Sequence, residues 1–118
     1  MPGPNLKFPR RRTLCGAMFT SVLRSGRALR GQGLVVLYKV SELPDCRLGM
    51  VISKRVAKRS VDRNRYKRLI REWFRHNQGR LAGRDWVVRL AERRRGSSAL
   101  PISEVELLSE LERLIPKA

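Results

Sequence analysis

The stretch from Ser60 to His76 constrains this chain more than any other. At ~100° per residue, Tyr66, Leu69, Ile70 and Trp73 gather on one side, where Asp62 and Asn77 also fall. Asn64, Lys67, Arg68, Arg71 and Arg75 collect on the opposite side. A helix divided in this way must bury its aromatic flank against a second layer and hold its cations away from it. The fold therefore needs a packing surface for one long basic helix.

Three segments can supply that surface. Leu34 to Val40 is dense in β-branched and aromatic residues and predicts a strand, with Val36 and Tyr38 on one face and Val35 and Leu37 on the other. Arg47 to Ser53 reads as a second strand after the turn at Leu43 to Cys46, and Asp85 to Ala91 as a third. Gly31 and Gly33 mark a turn before the first of these, and Gly79 and Gly83 end the basic helix. Thr13 to Arg24 carries Leu14, Met18, Phe19, Val22 and Leu23 at helical spacing, with Gly26 as its stop. Near the C-terminus, Ser103 and Glu106 form a capping box ahead of Leu107, Leu108, Leu111, Leu114 and Ile115. The order helix, strand, strand, helix, strand, helix, with room for one more strand before the basic helix, predicts an α+β fold: a small mixed sheet packed with helices. With 118 residues, a single domain is expected, residues 1–9 with their three prolines forming a flexible tail.

Charge narrows the function. The chain carries 27 Lys and Arg against 10 Asp and Glu, a formal net charge of +17. A compact body with that excess repels itself, which points to an anionic partner. Lys54, Arg55, Lys58 and Arg59 extend the cations of the helix into the loop before it, and Arg63 and Arg65 add to its first turns. An ordinary solvated helix face alternates signs in i,i+4 pairs; here only Glu72 offers relief, and it lies off the cationic side. Guanidinium forks grip phosphates in pairs of bonds, and Asn64 among them can read a base edge or a 2′-hydroxyl. Arg93, Arg94 and Arg95 suit either nucleic-acid contact or solubility.

Other classes are disfavoured. Cys15 and Cys46 are isolated and His76 is the sole histidine, so no zinc ligand set is recognisable and a reducing, cytoplasmic setting is expected. No apolar run approaches the ~18 residues of a membrane span. Arg10 to Arg12 before Leu14 to Leu23 resembles a secretory signal, but Thr20 and Ser21 interrupt the apolar stretch and no small-residue cleavage site follows. Protein-only RNA cleavage wants paired histidines or clustered carboxylates, and six acids scattered outside the C-terminal tail do not provide them. Neither catalytic nor metal-ligating residues are assigned to the chain.

The run Arg63-Asn64-Arg65, then Lys67-Arg68, Arg71-Glu72 and Phe74-Arg75, resembles the signature helix of the bacterial ribonuclease P protein family. Leu48 to Arg55, the spacing of Leu14, Phe19, Val22, Leu23 and Gly26, and Asp85 to Val88 agree with it in order, so the resemblance covers residues 10 to 115. It implies a fold like the second domain of ribosomal protein S5, with a left-handed strand–helix–strand crossover where the general rule favours a right-handed one. It further implies that the chain assists a catalytic RNA in metal-dependent endonucleolytic removal of the 5′ leader of precursor tRNA, with Mg²⁺ held mainly by RNA. Lys54, Arg55, Lys58, Arg59, Arg63, Asn64, Arg65, Lys67, Arg68, Arg71 and Arg75 would contact that RNA. Phe19, Leu23, Val36 and Tyr38 would line a groove for the unpaired leader, and no further protein partner is implied. Read without the family, the same apolar residues serve a core as well as a stacking platform. Leu23 stands where the family often has an aromatic. The loop from Val56 to Val61 lacks the family's glycine and is one residue longer, so the resemblance does not choose between Lys58 and Arg59.

Overall fold

The computed structural model describes residue 14, residues 16–90 and residues 103–115. Along the chain run α1 (Gly16–Ser25), β1 (Arg27–Arg30), β2 (Leu34–Val40), β3 (Arg47–Ile52), α2 (Ser60–His76), α3 (Gln78–Leu81), β4 (Arg84–Leu90) and α4 (Glu104–Leu114). The architecture is α+β, as the sequence predicts. The expected tail at residues 1–9, Cys15 and Arg93 to Arg95 lie outside the described residues.

One mixed sheet in the order β1-β2-β4-β3 organises the molecule. β1 and β2 form an antiparallel hairpin, with Gly33 at φ +81° supplying the left-handed turn residue. β4 inserts between β2 and β3, antiparallel to the first and parallel to the second. The parallel pair requires a crossover, and α2 with α3 makes it. Sequence patterning missed β1 because its four residues include two arginines and show no apolar alternation.

Helices cover both faces. On one face, Val36, Leu48, Trp86, Val88 and Leu90 meet Tyr66, Ile70, Trp73 and Phe74 of α2 and Leu107, Leu111 and Leu114 of α4. Each large side chain removed from water there contributes about 1.5–3 kcal/mol. The buried Trp86 indole N–H donates to the Leu81 carbonyl at 3.0 Å, so its polar edge is satisfied. Phe74 is fully buried, although the sequence reading left it off the apolar flank; its position four residues after Ile70 was the available signal.

Among the described residues, α1 and Leu14 cover the other face. Val22 is buried against Val87, with Phe19, Leu37 and Val51 packed around them. Gly49 makes the approach possible: a Cβ there would lie 2.5 Å from the Phe19 ring. At one end of this face Arg47 donates to both carboxylate oxygens of Asp85, at 2.7 Å each, bolting β3 to β4. Asp85 is only 4% exposed, and removing it would strand a half-buried guanidinium. The capping box at α4 forms as predicted: Ser103 Oγ accepts from the Glu106 amide, and the Ser103 amide donates to Glu106 Oε1.

Candidate nucleic-acid interface

α2 positions the cations. Its boundaries coincide with the predicted helix because the apolar spacing is regular from Tyr66 to Phe74, and Val56 and Ala57 pin the preceding loop into the core. Their amides both donate to the Ser53 carbonyl at 3.1 Å, which turns the chain away from β3.

The predicted RNA-binding residues divide into two groups. Lys54, Arg55, Lys58, Asn64, Arg68 and Arg71 are exposed and Lys67 partly so, and no described carboxylate pairs with any of them. The other four have partners. Arg63 donates through Nη1 to the carbonyls of Ala57 and Lys58, both at 2.9 Å, and so braces the loop. Arg59 binds Asp62 at 3.1 Å, and the bond from Arg59 holds the Asp62 carboxyl below its ordinary range. Arg65 lies 3.7 Å from Glu104 of α4.

Arg75 corrects the reading of Glu72 as lying off the cationic side. Its guanidinium reaches Glu72 at 2.6 Å, one turn back, and its side chain is only 17% exposed. That bond keeps the Glu72 carboxyl ionised to lower pH than usual. Helical-wheel angles ignore the reach of a long arginine, which lets a carboxylate at the boundary of a face neutralise it.

α4 closes the flank of α2. Glu112 accepts from the Trp73 indole N–H at 2.9 Å and from Arg80 at 3.1 Å, while the Arg80 guanidinium lies 5.1 Å from the Trp73 ring centre. These contacts join parts of the chain far apart in sequence, and no local pattern announces them. They screen one edge of α2 with acid and leave the Arg68–Arg71 side open.

The second predicted site is rearranged. Phe19 and Leu23 lie on α1, whereas Val36 and Tyr38 point to the opposite face of the sheet. Val36 is fully buried among the residues beneath α2 and α4, and Tyr38 packs on Trp86 with ring centres 5.2 Å apart. Lys39 Nζ bonds Ser21 of α1 at 2.7 Å, which fixes Val35, Leu37 and Lys39 as the α1 side of β2. Alternation correctly separated the two faces; it could not say which of them α1 covers.

α1 leaves ground uncovered on either side. Met18 and Ser21 border a cavity of about 480 Å³ above Lys39, Arg47 and Asp85. On the opposite flank of α1, Phe19 packs in one cluster with the partly buried Val51, Leu23 is 40% exposed, and Val35 lies in the same sheet row as Val51 through Arg89. Val36 and Tyr38 therefore do not share a surface with Phe19 and Leu23.

Among the described residues no three His, Cys, Asp or Glu side chains group as a metal site. No described helix is long and apolar enough to cross a membrane.

Comparison with known proteins decides the family. The sequence profile described as Ribonuclease P matches residues 8–118. The chain belongs to that family. Over 72 residues it is 44% identical to the ribonuclease P protein component of Aromatoleum aromaticum, a match covering 61% of this chain and 60% of that protein. The chain thus matches about three fifths of that relative's length. The RNase P protein of Thermotoga maritima, solved in complex with 1-(4-fluorophenyl)-2-thiourea, superimposes with a TM-score of 0.62 at 28% identity, covering 90% of this chain and 98% of that one. The Staphylococcus aureus RNase P protein gives a TM-score of 0.72 at 24% identity, over 88% of this chain and 91% of its own, and speaks for the fold alone.

Proposed function

We propose that this chain is the protein subunit of a cytoplasmic ribonuclease P ribonucleoprotein, binding the catalytic RNA and the 5′ leader of precursor tRNA while the RNA performs the hydrolysis. One observation carries the reading: in a member of this family, α2 buries Tyr66, Ile70, Trp73 and Phe74 and leaves Asn64, Lys67, Arg68 and Arg71 without a described carboxylate. Cations held on a rigid helix meet phosphates with little ordering cost, and Asn64 adds a hydrogen-bonding group that discriminates among RNA surfaces. Lys54, Arg55 and Lys58 extend the contact along the loop. Lys58 suits it better than Arg59, whose charge Asp62 already offsets. The leader would lie in the groove between Phe19 and Leu23 of α1 and the Val35–Val51 row.

In this reading the protein works by electrostatics. It lowers the repulsion between two polyanions and anchors the substrate's unpaired end, so that less Mg²⁺ is needed for the RNAs to associate. The Mg²⁺ that takes part is held by RNA.

Reconstitution tests the proposal. Leader cleavage by a bacterial ribonuclease P RNA is measured at low Mg²⁺ with and without this chain. A rise in turnover and in substrate affinity is expected. Unchanged cleavage and affinity would overturn the assignment in favour of a structural RNA-binding protein.

A further inference from the structure

The loop between β3 and α2 is fixed at both of its ends, by different means. At the β3 end, the amides of Val56 and Ala57 donate to the Ser53 carbonyl at 3.1 Å each, and both side chains are buried. At the α2 end, Arg59 is the N-cap residue and reaches Asp62. Between these anchors stands Lys58, exposed and facing no described carboxylate. Arg63 closes the gap, since its Nη1 donates to the carbonyls of Ala57 and Lys58, both at 2.9 Å. Those carbonyls belong to the two peptide planes that flank Lys58. A residue's soft dihedrals are the rotations that join its flanking planes. Holding both planes therefore sets φ and ψ of Lys58, and with them the direction of its Cα–Cβ bond.

We infer that Arg63 is a positioning residue, which serves RNA binding by aiming Lys58 rather than by gripping a phosphate itself. The inference rests on the proposed function, in which Lys58 contacts the catalytic RNA, and adds to it what holds that contact in place. A lysine on a loose loop must lose backbone freedom when it meets phosphate, and one already held does not. Arg63 is poorly placed to make the contact alone. It is partly buried, and its guanidinium is turned back on the loop that precedes its own helix. The other cations of the loop do not depend on it. Lys54 and Arg55 come before the Val56–Ala57 anchor, and Arg59 is tied to Asp62. Its influence is therefore confined to Lys58. Arginine suits the task because its rigid fork presents diverging N–H groups to two adjacent carbonyls, whereas an ammonium is a point charge on a shorter stem.

The experiment assembles the full chain with a bacterial ribonuclease P RNA and measures affinity across a salt series. Lys58→Ala, Arg63→Met, the double variant and Arg63→Lys are compared, with Arg68→Ala as a control on α2. Lys58→Ala and Arg63→Met should each weaken binding roughly fivefold at low salt and lower the slope of log K against log salt by about 0.9, since each removes the same contact. The double variant should therefore bind no more weakly than either. Arg63→Lys keeps the charge without the reach, and should bind as Arg63→Met does. In the free protein, the backbone order parameter at Lys58 should drop from about 0.85 to below about 0.6 in Arg63→Met, while residues 66–74 keep theirs. Losses that multiply in the double variant, with the slope reduced by about 1.8, would overturn the inference, because Arg63 would then hold a phosphate of its own. Wild-type binding by Arg63→Lys would also overturn it, as would an unchanged order parameter at Lys58. If Lys58→Ala and Arg63→Met both bind like wild type while Arg68→Ala loses affinity, the inference falls and the α2 interface stands. If Arg68→Ala binds like wild type as well, the proposed function falls with it.

Discussion

Arg68 and Arg75 lie on the same helix and carry the same charge, yet their surroundings predict opposite behaviour. Arg68 is exposed with no described acid beside it, while Arg75 spends its guanidinium on Glu72 at 2.6 Å with only 17% of its side chain accessible. Replacing Arg68 by alanine should remove one phosphate contact, weakening association with the catalytic RNA by roughly tenfold at low salt. One lost contact also lowers the salt slope by about 0.9 for a duplex surface, so the penalty should shrink about 3.5-fold between 50 and 200 mM salt. Arg75→Ala should leave that slope unchanged and instead lower the urea midpoint, because Glu72 loses its partner and the half-buried arginine stem leaves the helix surface. Fluorescence anisotropy of labelled catalytic RNA across a salt series reads both quantities, with circular dichroism confirming the fold of each variant. Equal slopes for the two variants would refute the distinction between free and paired cations on which the interface is drawn.

Other substitutions probe the frame. Asp85→Ala should destabilise the protein by about 3 kcal/mol in urea unfolding, since it leaves Arg47 without its buried carboxylate; a change below ~1 kcal/mol would show that water compensates. Gly49→Ala should cost roughly 1–3 kcal/mol by pushing on the Phe19 ring, and the loss should be largely recovered in a Gly49→Ala/Phe19→Leu double variant. Glu110 has its folded-state pKa lowered from the ordinary 4.5, chiefly by the bond from Arg113. The unfolded chain therefore binds its proton first as pH falls. The pair's stabilisation is complete above about 4.5 and disappears as pH drops through the folded value. Urea midpoints measured from pH 6 to pH 2 should fall less steeply in Glu110→Gln, and an unaltered profile would count against the pairing.

How much of this could be read from the chain depends on the range of the interaction concerned. α2 was readable to its ends because a 3.6-residue period with buried Tyr66, Ile70 and Trp73 leaves one solution. The α4 cap was readable because Ser103 and Glu106 satisfy each other within a single turn. β1 was not, since Arg27–Arg30 is held by its hairpin partner rather than by its own composition. For β2, alternation separated the two faces, but placing Val35 rather than Val36 on the side that α1 covers needed the contact between Lys39 and Ser21. The partners of Arg65, Arg80 and Trp73 arrive from α4, and sequence spacing carries no trace of them.

The position of β4 bears on how the chain is made. As it leaves the ribosome, the β1–β2 hairpin appears first and β3 soon after, yet neither can complete the sheet, because the strand that joins them is synthesised only after the long basic helix. Until Leu90 has emerged, α2 has no finished surface to dock on, and its cations hang on a nascent segment surrounded by ribosomal RNA. Central closure by a late strand also means many distant contacts forming together, which slows folding. A newly made copy thus spends its most vulnerable interval as a loosely tethered polycation, and a cell that over-produces it should find it bound to whatever RNA is nearest.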